Sequence, residues 1–459
     1  MISRDLLRRV DWLLVAAVLL LLALGERAVR AVTVSDFLGD PGYFVRRHIV
    51  YIALGLILAT VVVAIDPRIY RRLFWFIYGG TIGLLIVVLG FAAARGVQAW
   101  IPLPFFTLQP SEIGKVAMIV CVAAILADCV RRGIRGWPMV LRVALVLLPP
   151  FALVFIQPDL GTAIIYIAIG LTLLVVAGLP GRIVAVLVAA GGGAVVIVLG
   201  ILPSIGLPLL RPYQTERIVA FLDPGGDSPA VYQAQQARIA IGSGGLTGRG
   251  EGISQTAGSF LPEHHTDFVF AVVAEDRGFA GAGIALLLYL VVLWRIGRIV
   301  PRARSLEESF IAAGVFGMLL TQVAINVGMV LGIAPTTGIP LPFMTYGGSN
   351  TITNLVAVGL ALAVGARALT RDALDPVWTG RRGEGRGDPG GVPPEPPRAS
   401  VAAPSPSPSA AADDGRTPVD AVDDLHRQGL LPVHDVVVQQ ELSHRQAELI
   451  ARVARARRR

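Results

Sequence analysis

The residues best placed to do chemistry stand at the ends of long apolar stretches. The run Leu261-Pro262-Glu263-His264-His265-Thr266-Asp267-Phe268 leads polar and ionisable groups straight into an apolar helical pattern. Asp267 suits a helix N-cap with Glu263 as a surface charge, but a cap alone does not explain the company of His265 and Thr266. The same run carries hard or borderline metal ligands. It lacks the HExxH type of spacing that a tight zinc site needs. A loosely held magnesium or manganese ion shared with a phosphate substrate fits these ligands better. A second group, Gln109-Pro110-Ser111-Glu112-x-x-Lys115, places Glu112 and Lys115 three apart, on one helix face, where they can pair. That pair is open to two readings, a neutralising ion pair or a charged site at a membrane boundary. Gln157-Pro158-Asp159 opens another apolar stretch, with Asp159 either a cap or a site residue. Ionisable groups at such depths are costly, and that makes them functional candidates.

These groups must be positioned by membrane helices. Of the 459 residues, 54% are apolar and 16% charged, and the mean hydropathy is +0.67. That excludes an ordinary soluble enzyme, a disordered chain and a fibre, since soluble domains carry roughly 25% charge. Charge-poor runs at about 12–25, 49–65, 73–94, 112–130, 139–156, 160–178, 183–202, 268–294, 309–332 and 347–366 each approach the roughly 20 residues needed to cross hydrocarbon. The expected fold is an all-α polytopic membrane protein of about ten helices. A membrane domain at 1–375 would contain a long extracytoplasmic loop, 203–266, between the seventh and eighth helices. The first stretch has a charged start but no small-residue cleavage site before Glu26, and is read as a retained helix.

Arginine sets the orientation. Arg4, Arg8 and Arg9, Arg68, Arg71 and Arg72, Arg131, Arg132 and Arg135, and Arg295, Arg298, Arg302 and Arg304 fall on one side, which the positive-inside rule makes cytoplasmic. Arg27, Arg30, Arg46 and Arg47 oppose the trend without reversing it. Both termini are then cytoplasmic. Lys115 is the one lysine in the chain. Cys121 and Cys129 are eight residues apart, about 12 Å along a helix, too far to bond each other. They read as packing residues.

Within the long loop, residues 229–241 have an amphipathic pattern suited to an interfacial helix, and Gly-Ser-Gly-Gly-Leu-Thr-Gly-Arg-Gly-Glu-Gly follows. That glycine density permits tight turns and close approach to a ligand, but the run lacks the ending of a nucleotide-binding loop. Residues 335–349, with three prolines and three glycines, read as a broken re-entrant segment, which membranes tolerate only beside a cavity or within protein. Four polar elements therefore converge on the outer side. Together they predict a polar cavity at the bilayer surface, suited to a substrate with a lipid tail and a polar head. Residues 376–459 are Pro/Gly/Ser-rich, are expected to be a disordered tail, and end in a basic stretch that is either a solvated charge run or a contact for anionic lipid or a partner.

At these residues the chain resembles the SEDS family of peptidoglycan glycosyltransferases (RodA, FtsW, SpoVE), over about residues 40–370. The likeness is carried by QPSEIGK at 109–115, QPDLGT at 157–162, the block from YQAQQARIAIGSGGLTGRG to FLPEHHTDFVFAVVAEDRGFAG, and NVGMVLGIAPTTGIPLPFMTYGGS at 326–349. Residues 211–224, RPYQTERIVAFLDP, look more like RodA than FtsW. The pattern departs at His48, Tyr51 and Ala99, where the family has other residues. The resemblance implies polymerisation of lipid II into β-1,4 glycan at the outer face of the cytoplasmic membrane, with undecaprenyl diphosphate as the leaving group. It implies Asp267 as general base. It nominates Gln109, Ser111, Glu112, Lys115, Asp159, Glu263, His265, Thr266, Arg47, Arg217, Tyr346 and Ser349 for substrate binding. No tightly bound cofactor is expected; magnesium or manganese is the candidate ion. A class B penicillin-binding protein is the expected partner, and nucleic acid is not. An FtsW-like division role and a lipid II flippase are the alternatives. A flippase would need polar access from the cytoplasmic side as well, whereas the polar clusters here lie mainly outside. A non-catalytic scaffold would not need Asp267 at a cavity mouth.

Overall fold

A computed structural model describes residues 8–33, 42–91, 99–102, 107–207, 209–250 and 266–368. Glu263, His264, His265, the rest of 251–265 and the tail from 376 lie outside the described residues. The main helices are α1 (Trp12–Thr33), α2 (Tyr43–Ala64), α3 (Phe74–Val88), α4 (Pro110–Arg131), α5 (Trp137–Ile156), α6 (Leu160–Val176), α7 (Gly181–Val196), α8 (Pro212–Leu222), α9 (Pro229–Ser243), α10 (Val269–Ile299), α11 (Leu306–Val330) and α12 (Gly348–Ala366). Helix α7 runs on through a π turn, Ile197–Ile201, to Ser204. A two-stranded antiparallel ribbon, β1 (Ile101–Pro102) and β2 (Thr107–Leu108), precedes α4.

A helix stands at each of the ten predicted apolar stretches. Among the described residues eight helices are long and apolar enough to cross a membrane, and α3 and α6 are shorter. Their starts follow sequence signals. Proline occupies the first turn of α4, α5, α8 and α9, where its missing N–H costs nothing. Ser228 and Ser305 cap α9 and α11 through their side chains.

Helices α4, α11 and α12 are the most enclosed of the long helices, and α7 buries no side chain at all. Lipid would cover the apolar exterior of α7. Helix α2 runs along α12 at close range: a Cβ at Gly359 would lie 2.8 Å from the Ala59 carbonyl oxygen. Without a hydrophobic drive between helices in lipid, small residues and tight packing do this work. At the end of the bundle predicted to be cytoplasmic, Arg304 pairs with Glu308 at 2.7 Å and Asp66 at 3.3 Å, while Arg367 donates to the last carbonyls of α2. Between α11 and α12 the backbone is irregular, as its prolines and glycines predict. Ile339, Leu341, Phe343 and Met344 of this segment are buried in protein.

Two features differ from expectation. The stretch read as a continuous span from 268 breaks at Gly278, which has φ 66°. The glycine-rich run fills that break. Arg249 and Gly250 donate backbone N–H groups to the carbonyls of Glu275 and Asp276 (3.0 and 3.1 Å), and Phe279 and Ala280 donate to Gly245 and Leu246 (2.8 and 3.1 Å). At Gly244, Gly248 and Gly278 the missing Cβ admits another stretch of backbone. Helix α9, read as interfacial, seats Ala237 and Ala240 inside the bundle and packs on α10. Its alanines give a face that hydrophobicity alone does not mark.

Gly278→Ala should therefore be costly. Positive φ costs a side chain about 1–2 kcal/mol, and here the new Cβ would also meet Gly248 N at 2.4 Å. We expect a marked drop in thermal unfolding temperature in detergent. Gly283→Ala on the same helix, where a Cβ meets open space, should leave that temperature unchanged.

Candidate functional site

The starts of α4 and α6 meet at one carboxylate. Asp159 caps α6, its Oδ1 accepting from the Thr162 N–H at 3.0 Å. Its Oδ2 accepts from Gln109 Nε2 at 2.9 Å and Ser111 Oγ at 3.1 Å, at the start of α4. The cap and site readings of Asp159 thus coexist in one side chain. Ser349, at the start of α12, accepts from the Gln109 N–H at 2.9 Å and donates to the Thr107 carbonyl at 3.0 Å. Tyr166 of α6 donates to the Ser111 carbonyl at 3.0 Å. It reaches that far because residue 114 is glycine: a Cβ there would sit 2.0 Å from the phenol oxygen.

The preceding Pro158 carbonyl anchors the long loop. It accepts from Tyr213 OH at 2.8 Å and Gln214 Nε2 at 3.0 Å, both on α8. Burial raises the Tyr213 phenol above its ordinary value, so it stays protonated as a donor. Arg217 lies three residues after Gln214, on the same face of α8. Its guanidinium and the Asp267 carboxylate both crowd one point: a Cβ on Gly338 would be 2.8 Å from Arg217 Nη1 and 3.5 Å from Asp267 Oδ2. Gly338 has φ 71° in the irregular segment before α12, so glycine meets both the backbone and the space requirement.

These groups surround a cavity of about 370 Å³ lined by Glu112, Asp159, Arg217, Thr266, Asp267, Tyr346 and Ser349, with Gln109 at its wall. Glu112 is paired with Lys115 at 2.6 Å, and both side chains are buried. Lys115 lies behind Glu112 and is not among the lining residues. Ser111 acts through Asp159 rather than from the cavity surface. Arg47 also stands back from the lining, hydrogen-bonded to the Tyr43 phenol with its guanidinium 5.1 Å from that ring. Tyr346 is held by Phe44, His48 and Tyr51 of α2, at ring distances of 5.2, 5.8 and 6.1 Å. Glu263 and His265 lie outside the described residues.

Sequence reasoning passed over Trp100, Thr162, Gln233 and Asn350, which also line the cavity. Gln233 and Thr162 fell within quoted motifs. Asn350 carried no signal that a single sequence offers.

The cavity presents three carboxylates of different character. Asp159 is held by three donors that fix its direction. Glu112 is matched by a buried ammonium. Asp267 is half-buried and stands against a guanidinium. The arrangement suits transfer to an acceptor hydroxyl with an anionic leaving group. One carboxylate takes a proton, a cation receives negative charge, and no second acid is needed. Among the described residues no group of three or more His, Cys, Asp or Glu side chains gathers to ligate a metal ion.

The family profile for FtsW, RodA and SpoVE, described as a cell cycle protein, matches residues 9–368. Peptidoglycan glycosyltransferase MrdB of Escherichia coli strain K12 is 37% identical over 352 residues, covering 75% of this chain and 92% of that relative. The probable peptidoglycan glycosyltransferase FtsW of Thioalkalivibrio sulfidiphilus is 36% identical over 395 residues, covering 83% of this chain and 95% of that one. A solved structure described as the structural coordination of polymerization and crosslinking by a peptidoglycan synthase complex superposes with TM-score 0.63 at 32% identity. It covers 78% of this chain and 98% of its own.

The buried pair gives a separable test. Lys115→Met leaves Glu112 as an unmatched buried charge and should cost about 3–5 kcal/mol. Adding Glu112→Gln should recover most of that loss. Thermal unfolding of the two single variants and the double variant measures the coupling; additive effects would show that the two side chains do not act as a pair.

Proposed function

The chain belongs to the FtsW, RodA and SpoVE family and is a peptidoglycan glycosyltransferase of a bacterial membrane, and from that premise we propose that Asp267 is its general base. The carrying observation is the convergence of Asp267 and Arg217 on Gly338 at the cavity wall.

The proposed reaction joins lipid II to a growing glycan held on undecaprenyl diphosphate. The 4-hydroxyl of the acceptor GlcNAc attacks the anomeric carbon of the donor. The new C–O bond forms as the bond to diphosphate breaks, and the electron pair leaves with the diphosphate. Asp267 takes the hydroxyl proton. An ionised carboxylate is the form that can do so, and the Arg217 guanidinium stands with it at Gly338. The same guanidinium suits the departing diphosphate, because arginine binds phosphate through paired N–H donors. Inversion at the anomeric carbon gives the β-1,4 linkage. A diphosphate leaves without protonation once its charge is stabilised, so the two-carboxylate scheme of glycoside hydrolysis is unnecessary. Thr266 and Tyr346 line the cavity where they can orient the sugars. A magnesium or manganese ion, where required, would be held chiefly by the diphosphate, as the protein offers few clustered ligands.

RPYQTERIVAFLDP at 211–224, NVGMVLG at 326–332 and TGIPLPF at 337–343 favour a RodA-like role in cell elongation over an FtsW-like role in division. The arginine distribution favours cytoplasmic termini, which puts the cavity on the outer face. The relative solved as a synthase complex supports a cross-linking partner, and a class B penicillin-binding protein is the one proposed.

The test is polymerisation of lipid II by purified protein with divalent ion, with and without that partner. Asp267→Asn should lower the rate about 10²–10⁴-fold while leaving thermal unfolding unchanged. Near wild-type glycan synthesis by this variant would overturn the assignment.

A further inference from the structure

Asn326 lies in the last turns of α11, fully enclosed and outside the cavity lining. Its amide nitrogen makes two hydrogen bonds to backbone, donating to the Asp267 carbonyl at 3.0 Å and the Ile339 carbonyl at 2.8 Å. The two acceptors belong to segments far apart in sequence. One carries the carboxylate assigned as base. The other adjoins Gly338, the point at which Asp267 and Arg217 meet.

The chemistry of this contact is narrow. A backbone carbonyl only accepts hydrogen bonds, so the group between two of them must offer two N–H donors. That fixes the amide with its nitrogen toward the carbonyls. A carboxylate of the same shape would oppose both carbonyls, and an apolar side chain would leave both without this partner. The segments themselves have little else of regular structure to hold them: Asp267 precedes the first turn of α10, and Ile339 is in the irregular stretch before α12. Helix α11 is among the most enclosed elements and so provides a rigid mount.

We propose that Asn326 is a positioning residue, which ties the Asp267 segment to the Gly338–Ile339 segment and so sets the approach of the carboxylate to Arg217 and to the acceptor hydroxyl. The proposal rests on Asp267 as base. A displacement of about 1 Å at a reacting group can cost on the order of 100-fold in rate, which is the scale expected here.

The experiment compares wild type with Asn326→Leu, Asn326→Asp and Asn326→Gln, beside Asp267→Asn, in lipid II polymerisation. Hydrogen–deuterium exchange is followed on the same purified samples. Asn326→Leu and Asn326→Asp should each lower kcat by about 10- to 100-fold with KM within about twofold. Asn326→Gln, which keeps both donors on a longer stem, should recover part of kcat. Exchange should rise in peptides covering 266–270 and 337–341 and stay unchanged across α4. The isosteric Asn326→Asp keeps the test available if the leucine variant does not fold. Wild-type kcat in both donor-lacking variants, or unchanged exchange in those two peptides, would overturn the proposal. Activity retained by Asp267→Asn would instead overturn the base assignment, and exchange would still decide whether Asn326 joins the two segments.

Discussion

The site depends on one carboxylate that ties helix ends together. Asp159 receives three hydrogen bonds, from α4 twice and from its own helix once. Its neighbour Pro158 receives two more from α8. A dipeptide between two membrane helices thereby fixes the start of α4, the start of α6 and the first helix of the long loop. Ser349 extends the same network to α12. In low dielectric such bonds are strong, and a missing partner is costly, so the helix ends are held at one level. Glu112 and Arg217 reach the cavity from elements that this network aligns.

The other constraint is the need to satisfy backbone polar groups without water. Regular structure breaks in enclosed protein at Gly278 and between α11 and α12. In each the freed backbone finds a protein partner. At Gly278 the partner is the glycine-rich run of the loop, through four backbone hydrogen bonds. Before α12 it includes Thr345, whose hydroxyl accepts from the Leu341 N–H, and Asn326, which donates to Ile339. Irregular backbone at membrane depth is possible only with such partners. It places Gly338 against two charged side chains where no helix could bring it.

Much of this was legible in the sequence. Apolar runs bounded by arginine located the helices, because the cost of charge in hydrocarbon is large and local. Glu112, Asp159 and Asp267 stood out for the same reason, and the three-residue spacing of Glu112 and Lys115 foretold their pairing. Other features depend on contacts between distant segments. The glycine-rich run at 242–252 showed that backbone can turn tightly and come close, but not that the break at Gly278 comes close to it. That Arg47 rests on the Tyr43 ring beside the cavity was not visible either. Asn326 lay inside a quoted motif, yet its role appears only when the Asp267 and Ile339 carbonyls are brought to it. Asn350 had no local pattern to mark it as part of the cavity wall.

The central claim is that Asp267 is the group that meets the acceptor hydroxyl. The most direct measurement is an experimental structure of the protein with a lipid II analogue bound. The account predicts the acceptor 4-hydroxyl within about 2.6–3.2 Å of the Asp267 carboxylate, with a diphosphate oxygen beside Arg217. An acceptor hydroxyl resting on Asp159 or Glu112, with Asp267 beyond hydrogen-bond reach, would contradict it.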